Sequence, residues 1–291
     1  MTLLNSQILK KEGFLHLHSL IDTDAADRAK IYLINTYKDE HSRLVASKIL
    51  PEYTQDSPWP ADEETVQQIL SHVPQLDVLN VVTAYGSLSL QSRLHSVILS
   101  LLTNGSNLIK AVEPIFGTNQ ELFCHLAPAV RIIYPGNKVA YVPNHVDIGY
   151  NSHIRLRHPL QNEYETPPFV TVWIPLQGCS STHGGLGVYP EIFVEQTEIN
   201  NHSESLWIPA LGQDANQFIP DYTIGDIIIF HPFLLHGSVP NLSKRSEKGF
   251  PDTAFRVSMD VRVFSGQSIT TKHYMNLRTG ERYGPRDGPC G

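Results

Sequence analysis

The chain has 291 residues, of which 41% are hydrophobic and 18% charged, as expected of a globular protein with a sizeable core. A formal net charge of −7 and the lack of a dense Lys/Arg run argue against a nucleic-acid partner. No apolar run is long enough to span a bilayer and the N-terminus does not resemble a signal peptide, so we expect a single cytoplasmic domain over residues 1–291 without a membrane partner.

Residues 1–120 are predicted to be mostly helical. The stretch "DTDAADRAKIYLINTYKDEH" (22–41) opens with capping residues, and "EETVQQILSHV" (63–73) and "SLQSRLHSVILSLLT" (89–103) repeat apolar residues at helical spacing. The sequence therefore predicts several helices before its first strands.

Short β-rich runs separated by Pro, Gly and Asn turns follow from residue 121 to about 265. They are "AVRIIY" (129–134), "KVAYV" (138–142), "FVTVWIPL" (169–176), "GDIIIF" (225–230) and "FRVSMDVRVF" (255–264). Strands at this spacing without intervening helices favour an antiparallel sandwich or jelly roll. Residues 266–291 are expected to form a C-terminal tail on the surface.

A candidate metal-binding pair lies in "YVPNHVDIGYNSH", residues 141–153, where His145 and Asp147 stand two positions apart after a β-rich run. Chance alone supplies roughly one such H-x-D pair in a chain of this composition, so the pair by itself is weak evidence. Side chains at positions i and i+2 of a strand point to one face, however, and there an imidazole and a carboxylate can bind one ion.

A third ligand is available in "GDIIIFHPFLLHGSVPN", residues 225–241, which contains His231 and His236. We favour His236, because His231 lies beside Pro232 at the end of a strand. The Gly and Ser that follow His236 would leave room beside a bound ligand.

A rival pair, His202 and Glu204, lies in a polar, turn-like stretch with no strand to fix both side chains. The predicted metal ligands and catalytic centre are therefore His145, Asp147 and His236. Two histidines and one carboxylate are the ligand set of non-haem Fe(II) oxygenases, in which three coordination positions stay open.

The strand "FRVSMDVRV" (255–263) alternates apolar residues with polar ones. Its polar residues are Arg256, Ser258, Asp260 and Arg262. We expect this polar face to line the cavity of the jelly roll. 2-Oxoglutarate can fill the open positions of the metal while an arginine binds its distal carboxylate. Arg256 is the predicted partner of that carboxylate, and Arg245 is the alternative.

These motifs, in this order, resemble the phytanoyl-CoA dioxygenase (PhyH-like) family of Fe(II)/2-oxoglutarate-dependent oxygenases. The resemblance covers about residues 121–265, through "NHVD", "VTVWIPL", "GGLGVYP", "HGSVPN" and "RVS", and "KKEGFLHLHSLID" (10–22) resembles the family's opening strand and turn. It implies a mainly β protein with N-terminal helices, folded as a double-stranded β-helix of the cupin-like jelly-roll type.

The resemblance also assigns roles to individual residues. It implies that Fe(II) is bound by His145, Asp147 and His236. It further implies that Arg256 binds 2-oxoglutarate, that Ser238 helps to hold this cosubstrate, and that Trp173 lies near it. Two departures stand out. "GGLGVYPEIF" (184–193) occupies the place of a "PGSH"-like segment, and Arg256 follows His236 by 20 residues because "SKRSEKGFPDTA" intervenes.

The activity that the resemblance implies is a dioxygenase reaction with Fe(II), 2-oxoglutarate and O₂. It hydroxylates or otherwise oxidises an unactivated C–H bond and releases succinate and CO₂. Related halogenases resemble the same site with a small residue in place of the carboxylate, so Asp147 favours hydroxylation.

The expected substrate is a small polar metabolite, such as an acid of secondary or specialised metabolism. His153, Arg155 and Arg157, in "NSHIRLRH" (151–158), are candidates to contact it at the mouth of the site. Two alternatives stay open. One is a non-catalytic jelly-roll binding protein whose metal is structural or absent, and the other is a cupin-like metal enzyme that does not use O₂.

Overall fold

The computed structural model describes residues 2–46, 94–103, 106–126, 128–133, 142, 144–158, 165–194, 216–243 and 256–285. The helices in these ranges are α1 (Thr2–Glu12), α2 (Thr23–Ala46), α3 (Ser96–Thr103), α4 (Ser106–Phe116) and α5 (Asp147–Tyr150). The strands are β1 (Phe14–Leu17), β2 (Leu122–His125), β3 (Ala129–Ile133), β4 (Ile154–Leu156), β5 (Val170–Pro175), β6 (Leu186–Phe193), β7 (Ile227–Phe230), β8 (Leu234–Ser238), β9 (Arg256–Ser265), β10 (Ser268–Thr270), β11 (Tyr274–Asn276) and β12 (Arg282–Tyr283).

Eight of these strands form one antiparallel sheet, which we call the major sheet. Its order is β1-β7-β5-β9-β2-β11-β12, and β3 also pairs with β9. The ten-residue strand β9 lies at the centre of this sheet. It pairs with β5 on one side and, on its other side, with β3 along its first half and β2 along its second half. Strands β6 and β8 form a separate pair, as do β4 and β10. This arrangement confirms the predicted jelly-roll fold class.

The two faces of β9 separate the hydrophobic core from the candidate site. Val257, Met259, Val261 and Val263 are buried in one cluster with residues of the N-terminal helices, such as Leu33 of α2. Each buried aliphatic side chain contributes roughly 1.5–3 kcal/mol, so this layer holds the helices against the sheet. The polar residues of β9 face the other way, into the jelly roll, as their alternation predicts.

The helix predicted at 22–41 is α2, and the C-terminal half of the helix predicted at 89–103 is α3. The segment 63–73 lies outside the described residues, as does all of "KVAYV" except its last residue. The N-terminal part also contributes strand β1, which pairs with β7 in the major sheet. None of the described helices combines the length and apolar character needed to cross a membrane.

The strands continue beyond residue 265, where only a surface tail was expected. Strand β11 pairs with β2 and with β12, so residues 274–283 extend the major sheet. Aromatic side chains anchor this extension, because the ring of Tyr283 stacks on that of Tyr274 with 5.2 Å between centroids.

Candidate metal centre

The two candidate histidines lie side by side because their backbones pair. The N–H of His145 donates to the carbonyl of His236 over 2.8 Å, and the N–H of His236 donates to the carbonyl of His145 over 3.0 Å. Residues paired in this way across an antiparallel bridge project their side chains to the same face. The centroids of the two imidazole rings are accordingly 4.2 Å apart.

Asp147 does not lie on a strand, which corrects the sequence-based expectation: it is the first residue of the short helix α5. The preceding residue, Val146, is still extended, with φ −124° and ψ 143°. One extended residue between His145 and Asp147 suffices to keep both side chains on one side. Oδ1 of Asp147 lies 3.8 Å from Nε2 of His145 and 3.9 Å from Nε2 of His236.

Further hydrogen bonds orient two of these three side chains. Nδ1 of His236 donates to the carbonyl of Leu234 over 2.9 Å, so in the neutral imidazole the lone pair is on Nε2, the atom that faces Asp147. The hydroxyl of Thr171 on β5 donates to Oδ2 of Asp147. Partners of this kind fix the orientation of metal-binding side chains.

The donor set and its geometry fit a divalent first-row metal ion. The ligand atoms of His145, Asp147 and His236 all lie within 4.8 Å of one another, and the three side chains are buried. Two imidazole nitrogens and one carboxylate oxygen on one side of an ion suit Fe(II) and leave the opposite side open.

Arg262, which was not predicted as a site residue, controls the charge of Asp147. Its Nη2 donates to Oδ1 of Asp147 over 2.8 Å, and its Nη1 donates to Asp260. Burial alone would raise the pKa of Asp147, but the charges of Arg262, His236 and His145 hold that pKa well below its usual range. Burial outweighs the nearby carboxylate at His236 and lowers the pKa of its imidazole. Both groups are therefore in the forms that bind a metal at neutral pH.

Arg256 is a fully buried cation whose charge is not balanced locally. Its Nε donates to the carbonyl of Gly184 over 2.7 Å, Nη1 donates to Ser258, and the guanidinium lies 5.8 Å from the ring centroid of Trp173. In the part of the chain that the structure describes, no carboxylate forms an ion pair with Arg256, whereas Arg262 has two. Burial accordingly lowers the pKa of Arg256 from 12.5 to about 10.

A cavity between the major sheet and the β6–β8 pair brings these groups together. Its lining includes every residue predicted for iron and cosubstrate: His145, Asp147, His236, Arg256, Ser238 and Trp173. It also includes Asp260 and Arg262, which the sequence analysis placed on the polar face expected to line the cavity but gave no role, and Arg131 and Phe230, which it missed. An arginine inside the apolar run "AVRIIY" was a usable signal for Arg131.

At two positions near the site a larger residue than glycine would be sterically unfavourable, which the sequence did not show. A Cβ at Gly237 would lie 2.6 Å from Oδ1 of Asn144, so this glycine lets the segment that carries His145 approach β8. Gly184 has φ +68°, and a Cβ there would be 3.4 Å from that of Arg256. Both glycines therefore position site residues.

The residues predicted for substrate contact do not line this cavity. On β4, Ile154 and Leu156 are buried, so Arg155 between them points to solvent. The ring of His153 stacks on that of His125, with 4.9 Å between centroids, and Arg157 is half-buried. Substrate binding by His153, Arg155 and Arg157 stays a prediction.

Of the alternative site residues, His231 lies within the part of the chain that the structure describes. His231 is buried beside the rings of Phe193 and Phe233, with centroids 5.4 and 5.6 Å away, and it does not line the cavity. The rival pair His202 and Glu204 lies outside the described residues. The same is true of Arg245.

Comparison with known proteins gives relatives of one kind. No family model matches the chain. It is 32% identical over 106 residues to the 1-deoxypentalenic acid 11-beta-hydroxylase of Streptomyces exfoliatus, covering 33% of this chain and 35% of the relative. It is 25% identical over 175 residues to the enzyme of that name from Streptomyces arenae, covering 56% of this chain and 55% of the relative. The matches thus span between a third and about half of the relatives' length.

Solved structures share the fold over nearly the whole chain. The non-heme monooxygenase ThoJ, as its nickel complex, superposes with a TM-score of 0.57 at 12% identity, over 99% of this chain and 89% of ThoJ. The non-heme alpha ketoglutarate dependent epimerase SnoN from nogalamycin biosynthesis superposes with a TM-score of 0.54 at 12% identity, over 92% of this chain and 85% of SnoN. These likenesses support the jelly-roll assignment.

Proposed function

We propose that the protein is an Fe(II)/2-oxoglutarate-dependent dioxygenase that hydroxylates a C–H bond of a small acidic metabolite in specialised metabolism. The observation that carries this proposal is one cavity that holds both His145, Asp147 and His236 and the unbalanced buried cation Arg256. A metal-binding triad alone would fit many functions. Among the described residues no carboxylate forms an ion pair with the buried Arg256, so an anionic ligand would be favourable there, and the dicarboxylate 2-oxoglutarate supplies one.

The residues at the metal centre have defined tasks in this proposal. His145, Asp147 and His236 hold Fe(II) from one side, which leaves positions for the cosubstrate and O₂. Bound iron would supply the chemistry that couples decarboxylation of 2-oxoglutarate to oxidation of the substrate. Thr171 and Leu234 keep the ligand atoms oriented.

The cosubstrate pocket is built on the major sheet. Arg256 binds the distal carboxylate of 2-oxoglutarate, and the Trp173 ring and Gly184 carbonyl fix the guanidinium. Ser238, two residues after His236, offers a hydroxyl in the same cavity. Asp260 is engaged with Arg262, which keeps its negative charge from taking the place of the cosubstrate at Arg256.

An acidic substrate is favoured by a second cation in the cavity. Arg131 is only partly buried, lines the cavity, and makes no ion pair among the described residues. In the register of β3 with β9, Arg131 lies opposite Ser258. Because Arg131 is only partly buried and lines the cavity, it is available to a substrate carboxylate that enters there. The matched hydroxylases are named for an acid, 1-deoxypentalenic acid.

The decisive experiment measures succinate release by the purified protein with Fe(II), 2-oxoglutarate and O₂ across a panel of small acids. We expect turnover above the substrate-free background with at least one acid, and none with Asp147→Ala. Turnover only with coenzyme A thioesters would overturn the substrate class. Wild-type turnover by Asp147→Ala would show that Asp147 is not a ligand.

A binding experiment separates the proposal from its two alternatives. Anaerobic addition of 2-oxoglutarate to the Fe(II) protein should produce the visible charge-transfer band of the bound cosubstrate. Its absence would favour a binding protein, or a metal enzyme that does not use O₂. The cytoplasmic location stays a prediction that cell fractionation can test.

A further inference from the structure

A second group of metal-binding side chains lies outside the cavity, where β1 meets the start of β7. His16 is on β1, His18 follows its end, and Asp226 directly precedes β7. The strands pair with Leu17 opposite Ile227, so the next pair in register is His18 with Asp226. His16 and His18 are two positions apart and therefore face the same side of the sheet.

Both imidazoles converge on a single carboxylate oxygen. Nε2 of His16 and Nδ1 of His18 each lie 3.3 Å from Oδ2 of Asp226, and the three ligand atoms all lie within 4.8 Å of one another. Ligand atoms bound at about 2.0–2.1 Å around a tetrahedral ion are roughly 3.3–3.4 Å apart. The two histidine–carboxylate separations of 3.3 Å therefore match those of a tetrahedral site.

The backbone holds the carboxylate in place. Oδ1 of Asp226 accepts a hydrogen bond from the N–H of Ser19 over 3.1 Å, and Oδ2 accepts one from the N–H of Thr223 over 3.0 Å. The Asp226 side chain is fully buried, whereas that of His18 is 70% exposed. An ion can thus enter from solvent onto a ligand that is already oriented, and water can fill its remaining position.

Hydrogen bonding alone explains this arrangement poorly. Oδ2 of Asp226 has two lone pairs and already accepts the Thr223 N–H, which leaves one lone pair for two imidazoles. The 3.3 Å separations also exceed the usual 2.7–3.2 Å range of N–H···O bonds. One ion shared by all three groups would satisfy them together.

We propose that His16, His18 and Asp226 form a second metal site, which binds a divalent first-row transition ion and fits Zn²⁺ best. Two imidazoles, one carboxylate and a water complete a tetrahedral zinc shell. The bound ion fastens the edge strand β1 to the start of β7. It also fixes the ring of His16 against Tyr222, at 5.3 Å between centroids, and Tyr222 in turn contacts Trp173 of the cavity at 4.9 Å.

The test is zinc binding by the double variant Asp147→Ala/His236→Ala, which lacks two of the three ligands in the cavity. Equilibrium dialysis of the chelator-treated full-length chain, followed by elemental analysis, should give one zinc per chain. Adding His18→Ala, an exposed position whose loss the fold should tolerate, should weaken this binding by about tenfold or more. The matched control is His273→Ala, an exposed histidine outside both clusters, and it should leave the affinity unchanged.

If the double variant does not fold, the second metal site can be tested by spectroscopy instead. Co²⁺ added to the wild-type chain and to His18→Ala should give visible spectra that differ by the bands of one tetrahedral site. The inference is overturned if the double variant binds no zinc, or if His18→Ala changes neither affinity nor spectrum. Neither outcome involves turnover, so failure here leaves the proposed oxygenase function standing, and failure of that function leaves this site standing.

Discussion

Replacing Arg256 by methionine should weaken cosubstrate binding strongly without destabilising the protein. Lowering the pKa of this buried guanidinium from 12.5 to about 10 makes its charged form roughly 3 kcal/mol less favourable in the folded chain than in the unfolded one. Because the folded pKa is the lower one, this cost applies throughout the pH range below about 10. The hydrogen bonds to Gly184 and Ser258 offset about 1 kcal/mol each. Arg256→Met should therefore raise the free energy of unfolding by about 1 kcal/mol, or leave it unchanged.

The same substitution should greatly weaken the binding of 2-oxoglutarate. Truncating one partner of a buried, charge-assisted hydrogen bond costs about 2–5 kcal/mol of binding free energy. The dissociation constant of 2-oxoglutarate should thus rise by roughly thirtyfold or more in Arg256→Met. Calorimetric titration of the Fe(II) protein under argon measures this constant, and urea unfolding of the metal-free chain measures stability.

Arg262→Met is the matched control, because Arg262 lies on the same face of the same strand but is paired with Asp147 and Asp260. Its loss leaves two buried carboxylates without their cation, and we expect a destabilisation of about 3–5 kcal/mol. The reasoning is refuted if both variants lose stability alike and Arg256→Met keeps the wild-type affinity for 2-oxoglutarate.

Three further predictions follow from the contacts around the site. Thr171→Val removes the donor to Asp147 and should weaken Fe(II) binding about 10–100-fold in a chelator competition, and Thr171→Ser should restore it. Gly184→Ala places a side chain at φ +68° beside Arg256. We expect it to lower the free energy of unfolding by about 1 kcal/mol and to weaken 2-oxoglutarate binding. Unchanged binding would contradict the role given to the Gly184 carbonyl. Burial and the neighbouring His153 lower the pKa of His125 to about 3, so the unfolded chain takes up its proton first and stability falls as the pH drops below about 6.5. Protonation of His125 alone should lower the free energy of unfolding by roughly 2 kcal/mol at pH 5. His125→Gln should therefore flatten the pH dependence of urea unfolding, and an unchanged slope would show that His125 is not the responsible group.

The parts of the site that the sequence predicts depend on local periodicity. Alternation along β9 is a property of consecutive residues, and it correctly separated the apolar face at Val257 from the polar face at Arg256. The spacing of His145 and Asp147 is local too. It predicted that the two side chains lie on the same side of the backbone, although Asp147 is the first residue of a helix.

The parts that the sequence did not predict depend on register between distant strands. Arg262 reaches Asp147 because β9 pairs with β5 so that Arg262 lies opposite Thr171, and both side chains then contact the same carboxylate. No pattern within either strand encodes that pairing. The same holds for the second metal site, in which His16 and Asp226 are 210 positions apart.

The sum of the charges that line the cavity extends the argument for an anionic substrate. Among the described residues of the lining, Arg131, Arg256 and Arg262 stand against Asp147 and Asp260, so one positive charge remains while the histidines are neutral. Fe(II) and the dicarboxylate 2-oxoglutarate, which the proposed function adds, cancel one another and leave this excess unchanged. A charge-assisted hydrogen bond is stronger than a neutral one, so a substrate that brings one carboxylate to the partly buried Arg131 would be held more tightly than its neutral amide or ester. A matched acid and amide pair should therefore differ in KM in the wild type, and Arg131→Gln should abolish that difference.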